Sequence, residues 1–277
     1  MRDKLAIVAS GGGLTCSYSA GSILALIDKY RLTDPDIVIG GSGGAGTMSY
    51  YVSRQYQSIR SIWENLLCTS RLVNNWRLWK VMDVDYLVDE IFKKQEPLDT
   101  EAIYNSEITF LIPATNVDTG EVRYFSNHEG ESIFELLRAT EAMPLAYGKV
   151  VKIGNSSYCD TFLSASIEPN IQKAKKLGAT KIIVLDNTIG NQVTENGLRA
   201  WVLTRSSEFR RNFYKKLEEF KHIEYGSEVF FLRPKGLVEI STFCNDKQCI
   251  KHVLEQGYKE TMENEELNQF INSIDTN

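Results

Sequence analysis

The run Ile37-Val38-Ile39-Gly40-Gly41-Ser42-Gly43-Gly44-Ala45 leaves this chain few ways to fold. Three consecutive β-branched residues favour an extended strand. Four glycines among the next five residues demand a tight turn. The residues from Ala45 to Arg54 then suit a helix. Strand, glycine turn and helix in immediate succession open a crossover in a parallel sheet. The first thirty residues repeat the form. Leu5 to Ala9 reads as a buried strand, Ser10 to Thr15 as a loop holding Gly11, Gly12 and Gly13, and Tyr18 to Tyr30 as a helix with Ile23, Leu24, Leu26 and Ile27 inward.

Further elements follow the same logic. Ile108 to Thr115 reads as a strand interrupted by Pro113, pairing with Glu121 to Ser126 across Asp118-Thr119-Gly120. Ser132 to Ala139 reads as a short helix. Lys149–Ile153 and Ser157–Cys159 flank a turn at Gly154-Asn155. Glu168 to Leu177 is a helix with Pro169 in its first turn, and Lys181 to Asp186 is a buried strand. A long charged helix is expected from Leu198 to Lys221, with Phe209, Phe213, Leu217 and Phe220 as its inward stripe. A strand at Val229 to Arg233 and further helices complete the chain.

Composition sets limits. The 277 residues are 43% hydrophobic and 24% charged, as expected of a globular α/β protein, and no linker separates two halves. One domain over residues 1–277 is expected, with a helical, aromatic-rich insertion at about 55–105. A net charge of −5 points away from a nucleic-acid partner. Met1 to Ala9 is read as a first strand, not a leader, because its apolar stretch is short and meets the three glycines. No apolar run is long enough to span a membrane. The five scattered cysteines (Cys16, Cys68, Cys159, Cys244, Cys249) fit a reducing, cytoplasmic setting. Cys244 and Cys249, with His252 near, lack the further ligands of a metal site, so neither a metal nor a cofactor is expected.

The glycine turn carries the chemistry. Gly40-x-Ser42-x-Gly44 places a serine where strand gives way to helix, with Oγ pushed outward and small neighbours on both sides. Amides at a helix start favour a developing negative charge. A glycine turn that merely binds phosphate is the alternative. The loop of Gly11, Gly12 and Gly13, together with the Gly43 amide, suits an oxyanion hole. A dinucleotide loop is the competing reading, but Cys16 stands where its third glycine belongs. A base for Ser42 is less evident. A Ser-Asp-His triad would have to use His128, His222 or His252, and neither His222 nor His252 follows a strand. The other route is a carboxylate acting directly on the serine, which needs desolvation or a tight hydrogen bond to Oγ.

Ser10-Gly11-Gly12-Gly13 followed by Gly40-Gly41-Ser42-Gly43-Gly44 resembles the patatin-like phospholipase family. So does the order Ala139-Thr140-Glu141-Ala142-Met143-Pro144, then Tyr158-Cys159-Asp160, then the strand from Lys181. The resemblance covers about residues 5–54 and 106–186. It implies a three-layer α/β/α fold around a mostly parallel sheet, and a Ser–Asp dyad with no histidine. Ser42 would be the nucleophile and Asp160 the base, with lipid or other acyl esters as substrates. Two positions depart from the family pattern: Thr15 stands where arginine is usual, and Thr161-Phe162 follows Asp160 where glycine is usual. These departures motivate a further alternative, a weakly active lipid-binding relative on the same scaffold.

Trp63, Trp76 and Trp79 lie close together beside Arg71, Arg77 and Lys80. That mixture suits peripheral contact with a membrane surface. A flap packed on the sheet is the plainer reading. The oligomeric state is not legible.

Overall fold

The computed structural model describes residues 2–77, 80–161, 167–187, 200–219, 224–236 and 238–275. Trp79, Phe162, Phe220, Lys221 and His222 lie outside them, as do Leu198 at the start of the expected long helix and the side chain of Leu217.

Eight strands form one sheet among the described residues. They are β1 (Leu5–Ala9), β2 (Ile37–Gly40), β3 (Thr109–Asn116), β4 (Val122–Ser126), β5 (Val151–Ile153), β6 (Ser156–Cys159), β7 (Lys181–Leu185) and β8 (Val229–Leu232). The pairing runs β5-β6-β3-β2-β1-β7-β8, with β4 added to β3. The five strands from β3 through β2, β1 and β7 to β8 are parallel, and the pairs involving β4, β5 and β6 are antiparallel.

Helices cover both faces, which gives the expected three layers. Alternate residues of β1 and β2 supply two separate cores, because successive side chains of a strand point to opposite faces. Ile7, Ala9 and Val38 pack with α1 (Ser17–Tyr30) and α2 (Gly43–Val52). Ala6, Val8, Ile37 and Ile39 pack on the other side against Ile167, Ile171 and Ala174 of a helix at Ile167–Lys176. The charged segment forms a helix at Ser207–Glu219, with Phe209 and Phe213 buried as its stripe requires. No described helix is long and apolar enough to cross a membrane.

Pro113 does not interrupt β3, contrary to the sequence reading. Even-numbered residues there address β4: the N–H of Asn116 donates to the Glu121 carbonyl at 2.9 Å. Odd-numbered residues address the opposite edge, where Thr109 donates to Asp36 and Val117 to Ser157, each at 3.0 Å. Two strands share that edge. Parallel β2 occupies it as far as Leu111, and antiparallel β6 occupies it from Thr115. Pro113 falls in the gap, where the donor it lacks would find no strand. The ends of β2 and β6 face each other across that gap, and Ser42 and Asp160 follow those two ends.

The segment of residues 55–105 carries short helices at Tyr56–Ser61, Ile62–Leu66, Val84–Tyr86, Leu87–Gln95 and Thr100–Tyr104. An ionic cluster ties it to the helix α6, Ile133–Glu141, counting the helices at 56–61, 84–86 and 100–104 as α3 to α5. Arg138 of α6, only 11% exposed at its side chain, donates to Asp85 at 2.7 Å and to Asp89 at 2.8 Å. Lys149 and the Tyr147 hydroxyl also reach Asp85 and hold its carboxyl well below the usual carboxylate range.

Candidate active site

Ser42 is the residue before the first turn of α2, where a serine ordinarily turns its hydroxyl onto its own helix. Here it makes no such cap. Its backbone stands at φ 50° and ψ −135°, a region that non-glycine residues avoid at a cost of about 1–3 kcal/mol. Oγ points away from the helix and donates to Asp160 Oδ2 at 2.8 Å. Both residues are buried, Ser42 at 5% and Asp160 at 3% exposure.

Burial raises the Asp160 carboxyl to about 7 from its ordinary value near 3.8, and hydrogen bonds from the Ser42 hydroxyl and the Thr161 backbone limit the rise. A carboxylate near that value is a far better proton acceptor at neutral pH than an exposed aspartate.

The C-terminal end of α6 holds both partners. The Ser42 N–H donates to Thr140 Oγ1 at 3.0 Å, and the Thr140 hydroxyl donates to the Pro113 carbonyl at 2.7 Å. Two residues on, the Ala142 carbonyl accepts the Asp160 N–H at 3.0 Å. Sequence reasoning placed Thr140 and Ala142 in a family pattern but assigned them no role.

The glycines fit tightly. A Cβ on Gly43 would lie 2.8 Å from the Gly13 carbonyl oxygen, and one on Gly44 would lie 2.6 Å from that of Ser10. Gly40 packs against Ala45 in the same turn. Gly12 and Gly13 have φ of 141° and 59°. The amides of Leu14 and Thr15 are used internally, by the Thr242 and Gly12 carbonyls. Those of Gly11, Gly12, Gly13 and Gly43 meet no acceptor among the described residues. Thr15 closes the loop by donating its hydroxyl to the Gly12 carbonyl at 2.9 Å. Asn187, just past β7, anchors the loop's start: its N–H donates to Ser10 Oγ at 2.9 Å, and its Oδ1 accepts the Ser19 N–H at 3.1 Å. Neither Thr242 nor Asn187 carried a signal in the sequence, since each acts through a contact remote along the chain.

A narrow apolar cavity opens beside Ser42 and runs along α2, with Gly43, Gly46, Thr47 and Tyr50 on one wall and Trp63 and Phe92 on the other. Its open core is about 40 Å³, within about 530 Å³ of space that includes the mouth. Gly13 lines it, whereas Gly11 and Gly12 do not. Trp63 is 4% exposed and donates its indole N–H to Thr47 Oγ1 at 3.0 Å. It therefore belongs to the cavity and not to a surface patch. Trp76 is 93% exposed. The cations near it are mostly engaged: Arg77 bonds the Arg71 and Leu72 carbonyls, and Lys80 pairs with Asp83 and Asp85. His128 and His252 are exposed, far in character from the buried Ser42–Asp160 pair.

The sequence pattern of the patatin-like phospholipase family matches residues 7–167, which take in both Ser42 and Asp160. This chain belongs to that family. The family is one of lipid hydrolases. No curated protein matches the chain. Among solved structures, VipD from Legionella pneumophila aligns with a TM-score of 0.57 and 14% identity, over 98% of this chain and 67% of its own. The type III effector ExoU aligns at 0.42 with 12% identity, over 96% of this chain and 53% of its own. The ExoU–SpcU complex from Pseudomonas aeruginosa gives 0.44 with 13% identity, over 98% of this chain and 53% of that one. The likeness to VipD is one of fold.

Proposed function

We propose that this patatin-like protein is a serine acyl hydrolase that cleaves lipid ester bonds through a Ser42–Asp160 dyad. The hydrogen bond of 2.8 Å from Ser42 Oγ to a buried aspartate carries the reading. Asp160 Oδ2 takes the hydroxyl proton as Oγ attacks the ester carbonyl carbon. The amides of Gly13 and Gly43, with Gly11 and Gly12 completing the loop, stabilise the oxyanion. Collapse of the tetrahedral intermediate expels the alcohol, which receives the proton from Asp160. An acyl-serine remains. Water, deprotonated by Asp160, then releases the acid and restores the serine. The step needs no metal or cofactor. The apolar cavity along α2 receives the acyl chain, and Trp76 offers an apolar contact to a lipid surface.

The test is hydrolysis of p-nitrophenyl esters by wild type, Ser42→Ala and Asp160→Asn, with fluorophosphonate labelling of Ser42 alongside. Wild type is expected to turn over and to label, and both variants to lose at least 1000-fold in rate, the scale seen for triad members. Equal rates for all three would sink the dyad. Loss on replacing His128, His222 or His252 would favour a triad, and an unlabelled wild-type Ser42 a binding protein without catalysis.

A further inference from the structure

One polar side chain stands unanswered in the apolar cavity. Glu141 is the last residue of α6, is 5% exposed, and lines the cavity beside Ser42. Among the described residues, no donor or cation reaches its carboxyl. Burial first, and the nearby Asp160 charge second, push its titration well above the usual carboxylate range. Two buried acids this close do not both ionise readily. Asp160 has the Ser42 hydroxyl and the Thr161 backbone to stabilise its charge, and Glu141 has neither. The C-terminal end of α6 also disfavours a negative charge. Asp160 therefore takes the charge, and Glu141 stays a neutral acid with a proton to donate.

Leaving a neutral polar group without a partner in an apolar setting carries a free-energy cost. What enters through the cavity mouth is what can remove that cost. The position of the carboxyl says where on the entering molecule its partner sits. Oε1 lies 3.2 Å from the point where a Cβ on Gly46 would stand, so the missing side chain of Gly46 makes its berth. Gly46 is three residues beyond Gly43 on the cavity-lining face of α2, or about 4.5 Å along the helix axis. An acyl group laid along that face from the oxyanion amide covers the distance in roughly three or four bonds from its carbonyl carbon, the last of them the bond to a substituent oxygen.

We propose that Glu141 is a specificity-determining residue that selects acyl groups bearing a hydroxyl or keto oxygen at about the third or fourth carbon, hydrogen-bonding that oxygen with its carboxylic acid. The inference rests on Ser42 accepting the acyl group at that end of the cavity. An unsubstituted chain of the same length leaves the Glu141 acid buried and unpaired. A site built around such a hydrogen bond discriminates strongly against the analogue that lacks it.

The first arm of the test compares kcat/KM for p-nitrophenyl hexanoate, 3-hydroxyhexanoate and 4-oxohexanoate. Wild type is expected to favour the better oxygenated ester by about tenfold or more. Glu141→Gln, which keeps a neutral donor and acceptor of the same shape, is expected to retain the preference. Glu141→Leu is expected to reverse it by gaining on hexanoate. A merely structural role would lower all three rates together. The second arm needs no turnover: calorimetric titration of Ser42→Ala protein with 3-hydroxyhexanamide, 4-oxohexanamide and hexanamide, with and without Glu141→Leu. Tighter binding of an oxygenated amide, lost with Glu141→Leu, supports the subsite even if no ester is hydrolysed, in which case the hydrolase reading alone falls. Hydrolysis with a preference that ignores the Glu141 variants, or a wild-type preference for hexanoate, overturns the subsite and leaves the hydrolase reading standing.

Discussion

The Thr140 hydroxyl accepts the Ser42 N–H at 3.0 Å and donates its own proton to the Pro113 carbonyl at 2.7 Å. One side chain thus fixes the strained turn of Ser42 to the centre of β3. Thr140→Val keeps the shape and removes both bonds, stranding a buried N–H and a buried carbonyl. Each stranded group costs about 1–3 kcal/mol. The expected result is a clear fall in melting temperature and a 10- to 100-fold slower fluorophosphonate labelling of Ser42. Labelling at the wild-type rate would show that the turn holds without Thr140.

Gly43 tests the proposed oxyanion loop separately from the proposed dyad. An added Cβ would lie 2.8 Å from the Gly13 carbonyl and 3.2 Å from Cys16 Sγ, so the glycine loop has to move. Ser42 and Asp160 keep their side chains in Gly43→Ala. Losing an oxyanion donor typically costs about 10²–10³ in kcat, and a loss on that scale is expected, with KM changing little. Gly236→Ala serves as the control, since nothing lies within 4 Å of its added Cβ. Equal activity for the two variants would remove the loop from the mechanism.

How much of this was legible in the sequence follows from how local each feature is. The elbow at Ser42 was legible because strand, glycines and helix are contiguous and the steric demand acts within a few residues. The sheet followed from β-branched runs alternating with helical periods. Asp160 was reachable only through the family pattern, since nothing local separates it from an ordinary turn aspartate. Thr140 was not legible as a clamp, because its role exists only where α6, β2 and β3 meet. Pro113 was misread as a break, because its neighbours give no sign that two strands share one edge of β3 with a gap at residue 113. From composition alone Trp63 stood with Trp76 in a segment that suited either a membrane surface or a flap packed on the sheet, and its burial and indole bond to Thr47 seat it in the cavity. Glu141 carried no signal of its own beyond the family pattern, because its burial comes from the packing of α6 beside Gly46 of α2.

Trp76 is an exposed aromatic among the described residues of the 55–105 segment, and Arg71 stacks on the Tyr86 ring at 4.4 Å. If this edge meets lipid, wild-type tryptophan emission should shift to the blue on adding phosphatidylglycerol vesicles. Burying one large apolar side chain is worth about 1.5–3 kcal/mol, so Trp76→Ala should weaken partition about tenfold or more. Arg71→Ala should matter for anionic vesicles and not for neutral ones. An unchanged spectrum for wild type would end the membrane reading of this edge.

The Asp160 carboxyl links activity to stability with opposite signs. Its value in the fold is about 7, against about 3.8 when unperturbed. Below about pH 4 it is protonated in both the folded and unfolded chain, and the fold loses nothing. Between about pH 4 and pH 7 the unfolded chain gives up this proton first, so the contribution to stability declines as pH rises and is fully lost above 7. At 1.36 kcal/mol per unit the loss is on the order of 4 kcal/mol. Asp160→Asn cannot ionise. It should therefore match wild type near pH 4 and melt at a higher temperature near pH 8, while being inactive at both. With the ionised carboxylate as the proposed base, wild-type kcat/KM should rise with pH to a plateau, with a midpoint near 7. A flat pH profile, or an Asp160→Asn protein less stable than wild type at pH 8, would mean that Asp160 is not a buried base held above its ordinary range.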